Sequence, residues 1–573
     1  RQGGQQVVEN VFGTDPNAWK KASPISYVSS GKNIPPFLLT YTTDLKKDIN
    51  EHFADLLKGA GVPVVLFNSI GKTHDEVKDE VGEPNSPLTD SISDFLDKIL
   101  QKQTVKPSVK GLKAGSEQNQ TKKIEPSSNS FQISQKKQSF KLSFSKDYNP
   151  GTKDQNGQFM GGTETLYVLS HKGKLWAGNG YWRDDAGSDP SPGPQVLVKS
   201  APNAPWQVDR SWGTDYERID AMTSVTFTTD GKGKALTNPP TILLASARQI
   251  ASPQEASVWS RDDSSGKWTK MVVSKDNYVT AQKKAKPYMR VLRDHIDQVT
   301  KVHYVFAGAA KGAIYSGVYD PTAEGRIRWN LKPEFELGPK RVLSMAVANG
   351  VLYATFGREE ESDAGGVYRR VDGPNPKWEL VYQWPTLDGA GYKGGMRGLT
   401  AIPAPNGGRA EVLLGAREQP GVIDLIDPKN QYKAIQDFNI RQYFTNLWGN
   451  LGGRATIAAY NNMTPFTHPT TGEKVYFISL WVNHPDKKKK PTELGLSAWY
   501  LIRHQNGQYE HGQVFDPAHP LPNPDLGGLR AVRTIAVSPF SEDRGRVLYF
   551  GGYDAGAGLG NHNTAWIYKA TVE

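Results

Sequence analysis

The chain has 573 residues, too many for one hydrophobic core, so at least two domains are expected. It contains no cysteine, which excludes disulfides, thiolate catalysis and Cys-ligated zinc or iron–sulfur sites. The net charge of +10 admits an anionic partner, but no Arg-rich helix or RNA-binding motif accompanies it, so nucleic acid is not the expected one.

Residues 1–100 are slightly acidic and read as alternating strand and helix, one slice of an open α/β sheet. Pro36–Thr42 and Val62–Phe67 are continuous apolar runs of strand length, as in buried parallel strands. Between them Lys46–Lys58 is amphipathic, with Ile49, Phe53, Leu56 and Leu57 at helical spacing and Gly61 as its stop. Leu88–Leu100 is a second amphipathic helix with Thr89 or Asp90 as its cap. The first residues, "GGQQVVENVFGTDPNAW", read as the interior of a domain, so further sequence upstream of Arg1 is expected.

Residues 101–140 are Lys, Gln, Ser and Asn with few apolar groups, a disordered basic linker by composition. From 141 to 573 helical periodicity gives way to short β-rich runs between Gly, Asp, Asn and Pro clusters. They fall into seven loose units at an irregular period of roughly 50–75 residues. "GVLYATFG", "GGVYRRV" and "KWELVYQW" form one such unit, and Ala531–Val537, "GRVLYFGG" and "NTAWIYKA" form the last. Four strands per unit and seven units predict an all-β, seven-bladed propeller. No apolar run approaches the roughly 20 residues that span a bilayer.

The stretches "ASPISYVSSGKNIPPFLLTYTTD", "LLKGAGVPVVLFNSIGKTH" and "DFLDKIL" resemble the C-terminal part of an α/β-hydrolase of the esterase/lipase type. That resemblance implies a serine carboxylester hydrolase with an acyl-enzyme mechanism. It places Asp44 at the triad acid, with Asp48 as the fallback, and His74 at the triad base. The arrangement suits the chemistry, since loops after adjacent parallel strands emerge side by side at one edge of a sheet. No Gly-x-Ser-x-Gly elbow precedes Asp44, so the nucleophile would lie upstream of Arg1. An esterase joined to a propeller suits an exported enzyme acting on an acylated glycan or another polymer. Two alternatives are a non-catalytic propeller binding protein with a vestigial hydrolase segment, and a lyase or lactonase carried by the propeller itself.

Arg218, Arg290, Arg341, Arg397, Arg454 and Arg533 each stand at or just before the first strand of a unit. In a propeller that strand lines the central channel, so these arginines predict a ring suited to carboxylate, sulfate or phosphate. The competing expectation is that each pairs with a neighbouring acid and closes the packing between blades. Trp182 and Trp212, flanked by Asp184, Asp185 and Asp215, are loop aromatics and candidate ligand platforms. Asp262–Asp263 reads as a hairpin turn rather than a calcium loop. The histidines show no metal-ligating spacing, and no cofactor is expected.

Overall fold

The computed structural model describes residues 23–102 and 140–573, apart from 33, 43, 74–75, 78–79, 82, 84–85, 182–190, 252–254, 276–287, 311, 339, 358–364, 385–394, 406, 419, 450–455, 483–497, 516–528, 530 and 555–562. The chain forms two compact units, Arg1–Gln132 and Ile133–Glu573.

In the smaller unit β1 (Phe37–Tyr41) and β2 (Val64–Asn68) pair in parallel, Phe37 opposite Val64 and Tyr41 opposite Asn68. Parallel neighbours need a crossover, and α1 (Asp44–Gly59) supplies it. Ala54 and Leu57 of α1 are fully buried, while Ile49 is exposed, so the apolar stripe is narrower than its spacing suggests. Gly61 at φ 79° ends the helix, and the Val62 N–H returns to the Leu57 carbonyl at 2.9 Å. The second helix, α2 (Pro87–Lys102), starts before the expected caps. Proline is favoured at a first helical position, and the Ser86 hydroxyl accepts from the Thr89 N–H at 3.4 Å. The described residues of this unit show an α/β slice and no more of a hydrolase core.

The larger unit is almost entirely antiparallel sheet. Sheet 1 comprises Glu164–His171, Lys174–Gly180, Gln195–Lys199 and Gln207–Ser211. Sheet 2 comprises Tyr216–Thr226, Thr241–Gln249, Ala256–Arg261 and Trp268–Ser274. Sheets 3, 4 and 5 begin with Met289–Ile296, Arg341–Ala348 and Met396–Pro403, and each continues as a meander. Sheet 6 has a first strand in two pieces, Thr456–Ala458 and Thr464–Thr467, both paired with Lys474–Val482. Sheet 7 runs Ala531–Val537, Val547–Tyr553, Trp566–Val572. Its fourth strand comes from the other end of the unit: β3 (Leu142–Lys146) pairs antiparallel with Trp566–Val572. Among the described residues, strand pairing between sheets 1, 2 and 7 is limited to Arg218–Gly180 and Tyr553–Glu164.

The core is distributed rather than central. Each hydrophobic cluster lies between two consecutive sheets, for example Trp176 of sheet 1 with Leu243 and Trp259 of sheet 2. The last cluster joins Val547, Tyr549 and Ile567 of sheet 7 to Val168, Leu175 and Ala177 of sheet 1. Packing therefore returns to its starting point, and the unit is a propeller-like all-β ring in which β3 clasps the ends together. Among the described residues no helix is long and apolar enough to cross a membrane.

Candidate functional site

The first strands border a half-open cavity of about 370 Å³, lined by residues of sheets 1, 2, 3, 4, 6 and 7. Its floor is made by the interruption in sheet 6. Ala459, at φ 51°, turns the chain out of its strand, and Tyr460, Asn461 and Asn462 enter the cavity. The intruding segment is tied to several sheets. Asn461 Nδ2 donates to the Leu166 carbonyl at 2.5 Å, and the Met463 N–H donates to Thr400 Oγ1 at 2.9 Å. Gly398, at φ 60°, makes room for the turn: a Cβ there would sit 2.2 Å from that of Ala459. A larger residue would meet both the strained backbone and the clash.

Around Tyr460 four of the six arginines converge. The guanidinium carbons of Arg290, Arg397 and Arg533 lie 4.5, 5.0 and 4.2 Å from its ring centre. Arg218 completes the group through shared carboxylates, donating to Glu164 at 2.8 Å and Asp220 at 2.9 Å. Asp220 also accepts from Arg248 at 2.8 Å and from Arg290 at 3.4 Å. Arg533 pairs with Glu164 at 3.4 Å and Arg397 with Glu418 at 2.6 Å. Each of the four thus pairs with an acid, and together they surround Tyr460. Arg341 departs from the pattern, exposed at the first residue of sheet 4, and Arg454 lies outside the described residues.

Among the described residues, Arg218, Arg248, Arg290, Arg397 and Arg533 face Glu164, Asp220, Glu217 and Glu418. Burial alone would raise the Tyr460 phenol, but Arg290, Arg218 and Arg533 outweigh it and bring its pKa down to about 8. Burial and the neighbouring Arg218 and Arg397 hold Arg533 below the ordinary arginine value, against the pull of Glu164 and Tyr460. A carboxylate entering the cavity would meet Arg290 and Tyr460 directly, because both line it.

Other expected positions separate. Asp44 is the first residue of α1 and Asp48 is exposed within it, so both lie on a helix rather than in the expected loop; His74 lies outside the described residues. The β1–β2 register does bring the two strand ends together, and Thr40 Oγ1 and Ser69 Oγ are 2.9 Å apart across them. Trp212 is no ligand platform: it follows the last strand of sheet 1 and is buried against sheet 2, 5.8 and 5.6 Å from the rings of Trp259 and Trp268. Asp215 is exposed and its carbonyl accepts from Ile250 N–H, while Trp182, Asp184 and Asp185 lie outside the described residues. Asp262 caps a hairpin turn as expected, accepting from the Ser264 N–H at 2.9 Å. Asp263 does more, contacting His171, Lys172 and Arg261. Among the described residues no cluster of His, Cys, Asp and Glu fits a metal ion.

Sequence reading missed Tyr460, Glu164 and Asp220. The signals were an acid alone in each of two apolar first strands, "GTETLYVL" and "RIDAMTSV", since a buried carboxylate demands a cation. For Tyr460 the signal was "AAYNNMTP", polar residues breaking a strand.

No known protein family matches the chain by sequence, and no curated protein does. Solved structures share parts of its outline at low similarity. A GH43 β-1,3-galactosidase bound to galactodeoxynojirimycin is 11% identical with a TM-score of 0.27, over 51% of this chain and 97% of that one. Puromycin hydrolase is 9% identical with a TM-score of 0.36, over 71% of this chain and 53% of its own, so the chain spans about half that protein's length. Hydrazine synthase of Kuenenia stuttgartiensis is 12% identical with a TM-score of 0.34, over 74% of this chain and 98% of that one.

Proposed function

We propose that the larger unit is a seven-bladed propeller whose central cavity binds a carboxylate-bearing ligand, an acidic sugar or the acidic residue of a polymer. The observation that carries this is Tyr460 set among Arg290, Arg397 and Arg533 on the wall of a half-open cavity. Guanidinium groups present planar paired donors to a carboxylate, and desolvation strengthens the contact. A cavity of about 370 Å³ is of a size that buries a small ligand. Calorimetric titration with glucuronate, galacturonate and glucose tests the reading. Both uronates are expected to bind at least about tenfold more tightly than glucose, a difference of about 1.4 kcal/mol. Arg290→Ala is expected to erase that preference. Equal affinity for uronate and glucose defeats the proposal.

The smaller unit is read, from its resemblance, as the C-terminal portion of a serine carboxylester hydrolase with Asp44 and His74 as acid and base. The parallel β1–α1–β2 arrangement, which sends both loops from one edge, supports that reading. In this reading the protein is exported and acts on an acylated glycan that the propeller holds. A chain extended upstream of Arg1, assayed with p-nitrophenyl acetate, should lose activity in His74→Ala. Equal rates would remove His74 from the mechanism.

A further inference from the structure

The opposite part of the same cavity carries a second arrangement that owes nothing to the arginines. Ser224, on the first strand of sheet 2, lines the cavity. Its Oγ is 2.7 Å from Nδ1 of His171, at the end of the first strand of sheet 1. Nε2 of the same ring lies 3.0 and 3.2 Å from the two oxygens of Asp263. His171 is 2% exposed, so the ring is held in place between the two sheets.

The roles of the two nitrogens follow from the charges around them. Asp263 is held ionised, because Lys172 at 2.7 Å and Arg261 at 2.8 Å join His171 in outweighing its burial and lower its carboxyl to about 2. An ionised carboxylate only accepts, so Nε2 carries the proton and Nδ1 presents its lone pair to the Ser224 hydroxyl. Burial, the largest influence on His171, favours the neutral ring that this requires. Arg293 lines the same cavity, and its buried Nε makes no hydrogen bond among the described residues.

The His–Asp contact itself is a packing device of this fold. His295 of sheet 3 meets Asp372 of sheet 4 in the same way, Nε2 to carboxylate at 2.9 Å, and an arginine stands two residues before each aspartate. At His171 the other nitrogen meets the hydroxyl of Ser224, a residue that lines the cavity, which His295 does not share among the described contacts.

We propose that Ser224, His171 and Asp263 form a nucleophilic relay in the propeller, acting on small carboxylic esters that enter the central cavity. His171 Nδ1 takes the hydroxyl proton as Ser224 Oγ bonds to the acyl carbon. The carbon–oxygen bond to the alcohol then breaks, and the alcohol leaves with the proton from Nδ1. Water, deprotonated by the same nitrogen, attacks the acyl carbon; the carbon–Oγ bond breaks, Nδ1 returns the proton to Ser224 Oγ, and the carboxylic acid leaves. The relay is independent of the carboxylate site and of any serine upstream of Arg1.

A tagged fluorophosphonate applied to the intact chain at pH 8, followed by peptide mapping, tests it. The label is expected on Ser224 and absent from Ser224→Ala. In His171→Gln and Asp263→Asn, labelling should slow by roughly 100-fold and 10-fold, as for loss of a general base and of its orienting partner. Near-UV circular dichroism keeps a misfolded variant from counting as a loss. Ser224→Cys separates reactivity from folding further, since a thiol there should be alkylated faster than the same thiol in the His171→Gln background. A label on other serines only, no label on the folded wild type, or equal labelling with and without His171 would each overturn the assignment.

Discussion

Arg370 and Arg290 are both buried arginines on neighbouring sheets, and they do different work. The side chain of Arg370 is fully buried and saturated: Glu334 accepts from its Nε at 2.7 Å, Asp297 from its Nη1 at 2.7 Å, and Asp372 stands against the same group. Arg290 has one carboxylate, 3.4 Å away and shared with Arg218 and Arg248, and spends its face on Tyr460 and the cavity. Saturation marks a structural role, whereas a buried cation with incomplete compensation marks a place built to receive negative charge.

The saturated arrangement recurs, which identifies it as part of the architecture. Arg261, Arg370 and Arg503 sit on the third strands of alternate sheets, and each meets an acid from the sheet before: Asp209, Glu334 and Asp437. The same acids accept from a ring on the fourth strand, Trp268 at 2.6 Å, Trp378 at 2.9 Å and Tyr509 at 2.6 Å. Each trio welds one sheet to the next and satisfies every charge it buries.

The sharpest break of the comparison is Arg370→Ala, which strands Asp297 and Glu334 in the interior. It should destabilise the larger unit by about 3–5 kcal/mol, read as a lowered urea midpoint. The next effect is in pH. The folded Tyr460 titrates at about 8 against an unfolded value near 10. Between those values the unfolded chain binds the extra proton, so stability rises from pH 8 to pH 10, is fully present above 10, and is lost as pH falls through 8. The expected gain is on the order of 2 to 3 kcal/mol. Urea melts at pH 8 and pH 10 would read it, and Tyr460→Phe should abolish it together with a phenolate absorbance step near pH 8. A flat profile would mean that the arginines do not act on this phenol. Smaller again is Gly398→Ala, expected to cost about 1–3 kcal/mol through strain and contact with Ala459. It should also weaken uronate binding by displacing the segment that carries Tyr460.

How far these differences could be read in advance depends on the range of the interaction. The strand-rich meanders were legible because each is a local run of apolar stretches and turns, and "GVLYATFG", "GGVYRRV" and "KWELVYQW" become three strands of sheet 4. The clasp was not, since Leu142–Lys146 pairs with Trp566–Val572 more than 400 positions away and its own sequence says only that it can be a strand. The arginines were visible by their place in the unit, but their partition was not. Nothing in "SMAV" and "GVYRRV" tells that Arg341 is exposed while Arg370 meets, besides Asp372 two residues on, the distant carboxylates of Asp297 and Glu334. Ser224 and His171 lie 53 positions apart in different repeats, and only the sheet-to-sheet packing brings them together.

The finest test of saturation against openness is Trp378→Phe. It keeps the ring that stacks on Phe335 at 5.7 Å and removes only the indole N–H that Glu334 accepts at 2.9 Å. Glu334 retains Arg370, so its charge stays compensated and the cost is one hydrogen bond to a charged group, about 1–3 kcal/mol and towards the lower end. Ligand binding in the cavity should not change, because this trio lies outside the lining. A loss of uronate affinity in Trp378→Phe would show that the saturated and open arginines are mechanically one system, and the division of labour between Arg370 and Arg290 would have to be given up.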